Sequence, residues 1–274
     1  MSMEQGGRWL GAYVGAYLVF LYLPIALIPL FSFNDSIQAA FPLKGFTLAW
    51  YASLLDNDGL HRALETSLVV GLSAAALATL TGITIAFMEV AGPRRLSATI
   101  SGLARLPILI PGVIIGIALL VLVNLAGLGP SRTAMVLGHT LVGLPTTVVI
   151  MRGRFLALPR SYGEAAMDLG AREWTTCRRI MLPLSASAIA SAFMLAFLTS
   201  FDEFVVAFFL AGTDVTLPLF IWAQLRFPKA LPGVMALGTL ILAASILIVI
   251  AAELIRRRGP GGTAGAPLGA SKTT

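Results

Sequence analysis

Six continuously apolar runs, each about 20 residues long, recur along this chain and leave few folds open to it. They are centred on Leu10–Phe31, Ser67–Met88, Leu103–Leu125, Thr133–Met151, Leu184–Leu210 and Gly233–Leu254. A helix of about 20 residues crosses the hydrocarbon core of a bilayer. The runs are apolar throughout, which predicts helices, because barrel strands alternate. Of 274 residues, 57% are hydrophobic and 12% are charged; a soluble domain carries roughly twice that charged share. The expected fold is all-α and integral to a membrane, with six transmembrane helices in one domain, 1–258. The first run exceeds the apolar region of a signal peptide, and no small-x-small cleavage site follows it, so it reads as a retained span. The stretch 259–274 is rich in Gly, Ala, Pro and Thr and is expected to be a disordered tail. A single cysteine, Cys177, excludes an internal disulfide and argues against a cysteine metal cluster.

Charge sets the orientation. With the N-terminus inside, the inner segments hold Arg8, Arg94, Arg95, Arg152, Arg154, Arg160, Arg172, Arg178, Arg179, Arg256 to Arg258 and Lys272, with Arg105 near an inner boundary. The outer segments hold Lys44, Arg62, Arg132, Arg226 and Lys229. This is a positive-inside bias, and both termini fall on the cytoplasmic side. The net charge of +6 then reflects topology and contact with anionic membrane lipid, not nucleic-acid binding.

The same topology assigns the connections. Ser32 to Thr66 is the longest outer segment, with Trp50 and Tyr51 as candidate interfacial anchors. Val90 to Gly102 reads as a short inner turn around Gly92-Pro93. Gly212 to Pro232 reads as an outer loop.

Arg152 to Pro183 is different: a polar, arginine-rich inner island between the fourth and fifth runs. Within it, Ser161 and Glu164 have the spacing of a capping box, and Gly170 suits a left-handed helix end. The expected helix is about two turns, roughly 12 Å long. Tyr162, Ala165, Ala166 and Leu169 share one side of it, and Glu164 and Asp168 another. So short a helix needs a packing partner. Pro183 suits the first turn of the next span.

Glu164-Ala165-Ala166, three residues, Gly170, nine residues, Ile180, one residue and Leu182-Pro183 resembles in full the EAA signature of permease subunits from bacterial binding-protein-dependent ABC importers. Leu106-Pro107, Pro111-Gly112-Val113-Ile114-Ile115-Gly116, Gly138-His139-Thr140, Leu144-Pro145 and Ser200-Phe201-Asp202-Glu203-Phe204 resemble the polyamine branch of that family. The resemblance implies that the island helix is a coupling helix seated in a groove of a cytoplasmic ATPase. Ala165, Ala166, Leu169 and Gly170 would make the contact, with Glu164 capping the helix, touching the ATPase, or both. It further implies a multi-pass protein of the bacterial inner membrane with three kinds of partner: an ABC ATPase dimer, a second related permease and a periplasmic solute-binding protein. The chain contains no Gly-Lys dipeptide and hence no phosphate loop. It is expected to be no enzyme and to hold no cofactor or metal; ATP and Mg would belong to the partner ATPase. The implied solute is a polyamine such as putrescine or spermidine, or another small solute.

Intramembrane polar groups are candidates for the solute pathway. An ionised side chain at the bilayer centre costs about 2.5–3.5 kcal/mol on insertion scales. Asp202 and Glu203 fall near the outer end of the fifth run. They either sit at the interface and pack the span, or at least one faces the pathway and attracts a cation. Neighbours on a helix diverge by about 100°, so the two should not face one solute together. His139 and Asn124 are pathway or packing groups. Pro107 and Pro111 are expected to break or kink the third run, and they line a pathway or shape the bundle. Glu89 is expected to pair with Arg94 and Arg95 at the inner interface, and Arg256 to Arg258 to anchor the last span.

Two rivals explain less. An intramembrane protease lacks its motifs: the chain has no G-x-S-x-G, no H-E-x-x-H and only His61 and His139. An ion-driven secondary transporter would need mid-membrane charges and inverted repeats, and would leave the island unexplained.

Overall fold

The computed structural model describes residues 3–258; the expected disordered tail lies outside the described residues. In chain order the helices are α1 (Met3–Ser32), α2 (Ala49–Leu55), α3 (Asp58–Ala91), α4 (Arg94–Arg105), α5 (Gly112–Leu125), α6 (Arg132–Ala157), α7 (Arg160–Asp168), α8 (Glu173–Thr176), α9 (Leu182–Leu184), α10 (Ala186–Phe201), α11 (Val205–Leu210), α12 (Leu217–Gln224) and α13 (Leu231–Arg258). Short 3-10 turns occupy Leu106–Leu109 and Pro228–Ala230, and a π-turn occupies Cys177–Met181. No strand occurs among the described residues.

Four described helices are long and apolar enough to cross a membrane, and the number rises to six if two bent pairs each count as one span. The first bent pair is the break or kink expected at Pro107 and Pro111; the second corrects the sequence reading. The third run is not one straight span: the helix before Ile110 and α5 meet at 113°. Proline is the reason. A residue before proline is driven out of the helical region, and Ile110, before Pro111, is extended at φ −99° and ψ 129°. The fifth run is also interrupted. A 76° bend separates α9 from α10, and α10 stops at Phe201, so Asp202 to Phe204 separate it from α11. Two expected loops hold helices instead: α4 replaces most of the short inner turn, and α12 lies within the Gly212–Pro232 loop.

The contacts divide the chain into two compact units: Asp58–Ala223, and the residues up to Asn57 together with those from Gln224 onward. In the larger unit α3 packs chiefly against α6 and α10. The α3 face in this core is made of small residues, with Gly71, Ala74, Ala75, Ala78, Gly82 and Ala86 all buried. Small residues let membrane helices approach closely, so packing and interhelical hydrogen bonds can hold them. At Gly82 a Cβ would lie 2.8 Å from Thr147 Cβ and 3.1 Å from its carbonyl carbon. Here Thr147 Oγ1 donates across the interface to the Ala78 carbonyl at 2.8 Å.

In the other unit α1 and α2 both pack on α13. The loop after α1 is held by its own polar groups: Asn34 Oδ1 accepts from Lys44 N at 2.8 Å, and Trp50 Nε1 donates to the Asn34 carbonyl at 3.0 Å. Tyr51 bonds Ser32 at 2.6 Å. The polar tips of the expected anchors Trp50 and Tyr51 are thus engaged within this loop. Along Trp9–Ser32 the most apolar window is 0% buried. That surface needs lipid or another subunit to keep it from water.

Candidate functional site

The island folds as a chain of short helices. α6 extends through Ala157, and Leu158, before Pro159, is extended at φ −72° and ψ 136° and ends it. α7 follows with nine residues. Its start departs from the expected capping box. Pro159 is the N-cap and no side chain caps the helix, so Ser161 sits inside the first turn, where it cannot act as the cap. Proline fixes this start, because its φ is already helical and it has no N–H to satisfy.

The C-terminal end is as expected. Gly170 has φ +81°. Gly170 N donates to the Met167 carbonyl at 2.8 Å, and Ala171 N to the Ala166 carbonyl at 2.9 Å. This crossed pair is the Schellman arrangement, which turns the chain sharply and satisfies two terminal carbonyls.

The two sides of α7 separate as the helical spacing predicts. Tyr162, Ala165, Ala166 and Leu169 line an open apolar cleft of about 350 Å³ together with Ile180 and Leu184. Among the five residues expected to contact an ATPase, Ala166 is 6% exposed and already covered by this chain, whereas Leu169 is 89% exposed. Glu164 and Ala165 are exposed. Met167 and Tyr162 are half exposed and extend the apolar surface. Their helical spacing pointed to Tyr162, but Met167 carried no motif signal.

Charged groups brace the end of the bundle that leads into α7. Glu89 pairs with Arg105 through 2.9 and 3.0 Å contacts to a single guanidinium nitrogen, and with Arg152 Nε at 3.0 Å. Its expected ion pair with Arg95 does not form, because α4 carries Arg95 away and returns Arg105; the Arg94 side chain lies outside the described residues. Arg154 donates to the Leu184 carbonyl at the α9–α10 bend.

At the interruption after α10 the two carboxylates take different roles. Glu203 Oε1 accepts from Val206 N at 3.0 Å and caps the start of α11. Asp202 remains exposed. The chain break at Pro111 lies beside this one, since a Cβ on Gly112 would be 3.6 Å from Val205 Cγ1. Pro111 is exposed and Pro107 half-buried, and both flank the 113° bend. Broken helices at membrane depth occur where they line cavities or are covered by protein. Three rings cluster beside the break after α10, Phe204 and Phe208 at α11 lying 5.6 and 5.7 Å from Trp222 of α12. Sequence reasoning overlooked them because apolar residues in a span carry no separate signal.

His139 is 2% exposed and its Nδ1 lies 2.7 Å from Ser200 Oγ. It joins α6 to α10 and reaches no open surface of this chain, which favours its packing role. Ser200 stood inside the quoted polar motif, but its partner was 61 positions away. Asn124 is exposed near the end of α5.

Residues 78–258 match the family of binding-protein-dependent transport system inner membrane components. The chain belongs to this family. It is 35% identical over 261 residues to the spermidine/putrescine transport system permease protein PotC of Escherichia coli K12, covering 94% of this chain and 98% of that protein. It is 35% identical over 233 residues to the putrescine transport system permease protein PotI of the same organism, covering 82% of each. A bacterial ABC transporter involved in the import of the acidic polysaccharide alginate has the same fold, with a TM-score of 0.70, 15% identity and coverage of 94% of this chain and 98% of that one. The chain is therefore a transport component and a multi-pass protein of the inner membrane.

Proposed function

We propose that this chain is one permease of a polyamine importer and that α7 is its coupling helix. The observation that carries the reading is α7 itself. It is a nine-residue helix with a sharply turned glycine end, an exposed leucine at that end and an apolar cleft behind it. Such a helix is marginal alone and gains from a partner groove. The partner is a cytoplasmic ABC ATPase dimer, which binds ATP and Mg; α7 and both termini lie on its side of the membrane. A second, related permease completes the pathway, and a periplasmic binding protein delivers the solute. ATP-driven closure of the ATPases moves α7 and biases the spans between inward-open and outward-open states, which differ in affinity for the loaded binding protein.

The substrate class follows from the relatives' solutes and from the break after α10. An exposed Asp202 attracts an organic ammonium, and nearby aromatic rings favour cations over their faces. Glu203 keeps the break in shape. The test is uptake of labelled putrescine and spermidine by cells lacking this chain, with and without its restored expression, energised and depleted of ATP. Restored, ATP-dependent uptake is the expected result. Restoration that survives ATP depletion would replace the importer by an ion-driven carrier, and no uptake of either amine would remove the polyamine assignment.

A further inference from the structure

We infer that Arg152 and Arg154 form the joint that passes α7 displacement into the bundle, acting through Glu89 and the Leu184 carbonyl; the inference rests on the coupling role proposed for α7. The two arginines lie in the last two turns of α6, just before the chain enters the α7 segment. Residues two apart on a helix point about 200° apart, so they reach out from opposite sides of α6.

On one side, Arg154 donates to the carbonyl of Leu184. That carbonyl lies at the 76° bend where the α7–α9 segment rejoins the bundle at α10. Arg154 thus ties the entry of the segment to its exit, 30 residues apart. The segment is closed into a loop. A push on α7 therefore cannot be absorbed by its two ends parting.

On the other side, Arg152 grips Glu89 of α3, which also holds Arg105 of α4. Glu89 is only 13% exposed, whereas Arg105 and Arg152 are 33% and 46% exposed, so the carboxylate is the shielded centre of the clamp. Among the described residues, Glu89 is the one carboxylate paired with either arginine. Removing Glu89 strands two arginines beside each other and cuts the charged tie between α3, α4 and α6. α4 leads within five residues to Pro107–Pro111, the bend that separates it from α5. The joint thus connects the end of α6 to α3 and α4 through Glu89, and to the α9–α10 bend through Leu184. Arg152, Arg154, Glu89 and Arg105 are positioning residues; none touches solute.

The test uses the complete transporter, with both permeases, the ATPase and the binding protein, in lipid vesicles. ATP hydrolysis and uptake of labelled putrescine are read from one preparation. Glu89→Gln keeps the side chain's size and removes its charge. We expect it to assemble, to keep basal ATP hydrolysis within about twofold, and to lose at least tenfold of the uptake gained per ATP and of the stimulation by loaded binding protein. The pair Glu89→Arg with Arg105→Glu again sets one carboxylate between two arginines and should restore at least half of that stimulation. Arg154→Leu, which has no donor, should uncouple more than Arg154→Lys, which still donates to a carbonyl. Normal stimulation and uptake per ATP in Glu89→Gln would overturn the inference, as would loss in proportion to assembled protein that the exchanged pair does not restore. Failure of the unaltered chain to assemble with the ATPase would instead remove the coupling role of α7, and stimulation without putrescine uptake would remove only the solute.

Discussion

Gly170 permits a separation of backbone strain from steric conflict at the end of α7. Its φ is +81°, a region that costs an L-residue about 1–2 kcal/mol. A Cβ there would meet nothing within 4 Å, so no clash adds to that cost. Ala should impose it in full. Asn tolerates the left-handed region and should impose less, while the β-branched Val should impose more. A cost of one or two kcal/mol changes a local equilibrium by roughly 5–30-fold. If the ATPase recognises α7 with its crossed hydrogen bonds made, apparent affinity should fall by that factor for Gly170→Ala. The assay is titration of the purified ATPase against permease in lipid nanodiscs, with helix content and protein yield measured alongside. Affinity should decline in the order Gly, Asn, Ala, Val, at constant yield. Equal affinity across the series would refute the reasoning, since it would mean that the turned end contributes nothing to docking. Gly170→Asp should lose more than Gly170→Asn, because it adds charge to the same conformational cost.

Glu164 caps nothing in α7, so Glu164→Ala should leave yield and helix content unchanged while weakening ATPase binding; Glu164→Lys should weaken it further, and normal uptake by Glu164→Lys at normal protein level would exclude the contact. Asp202→Asn should raise the KM for putrescine uptake at least fivefold with little change in thermal stability. Glu203→Ala should do the reverse, removing the bond to Val206 N and costing about 1 kcal/mol of stability; both are read from uptake kinetics and thermal unfolding in detergent. Gly82→Leu should destabilise by about 1–3 kcal/mol through overpacking alone, because Thr147's carbonyl carbon lies 3.1 Å from the added Cβ and backbone cannot swing aside; an unchanged unfolding temperature would contradict the close α3–α6 approach.

The legible parts of this molecule were those governed by neighbours in the chain. The apolar runs announced helices because each residue must be compatible with lipid on its own account. Gly170 announced a helix end because left-handed backbone is a property of one residue. Proline before α7 and within Leu106–Pro111 was equally local in its effect, yet only the second was read correctly. Ser161 looked like a cap until Pro159 took that position, whereas the break or kink expected at Pro107 and Pro111 is there, as a turn of 113°. Hydropathy records whether a residue suits lipid, and it does not record the direction in which the helix runs.

By itself the sequence determined the membrane class, the small-residue character of α3, and the polar island with its glycine-ended helix. Each of these follows from residue type and spacing within a few turns. Only the tertiary structure decided which groups meet. Glu89 passes over the neighbouring Arg95 for Arg105, 16 positions on, and Thr147 reaches Ala78 across 69 positions. Arg132 finds Asp214 across 82. It also divided the adjacent carboxylates, giving Glu203 to a helix start and leaving Asp202 exposed. Ion pairs and hydrogen bonds depend on distance in space, and helix directions set that distance only after the bends at proline and at Ser185 have turned the chain.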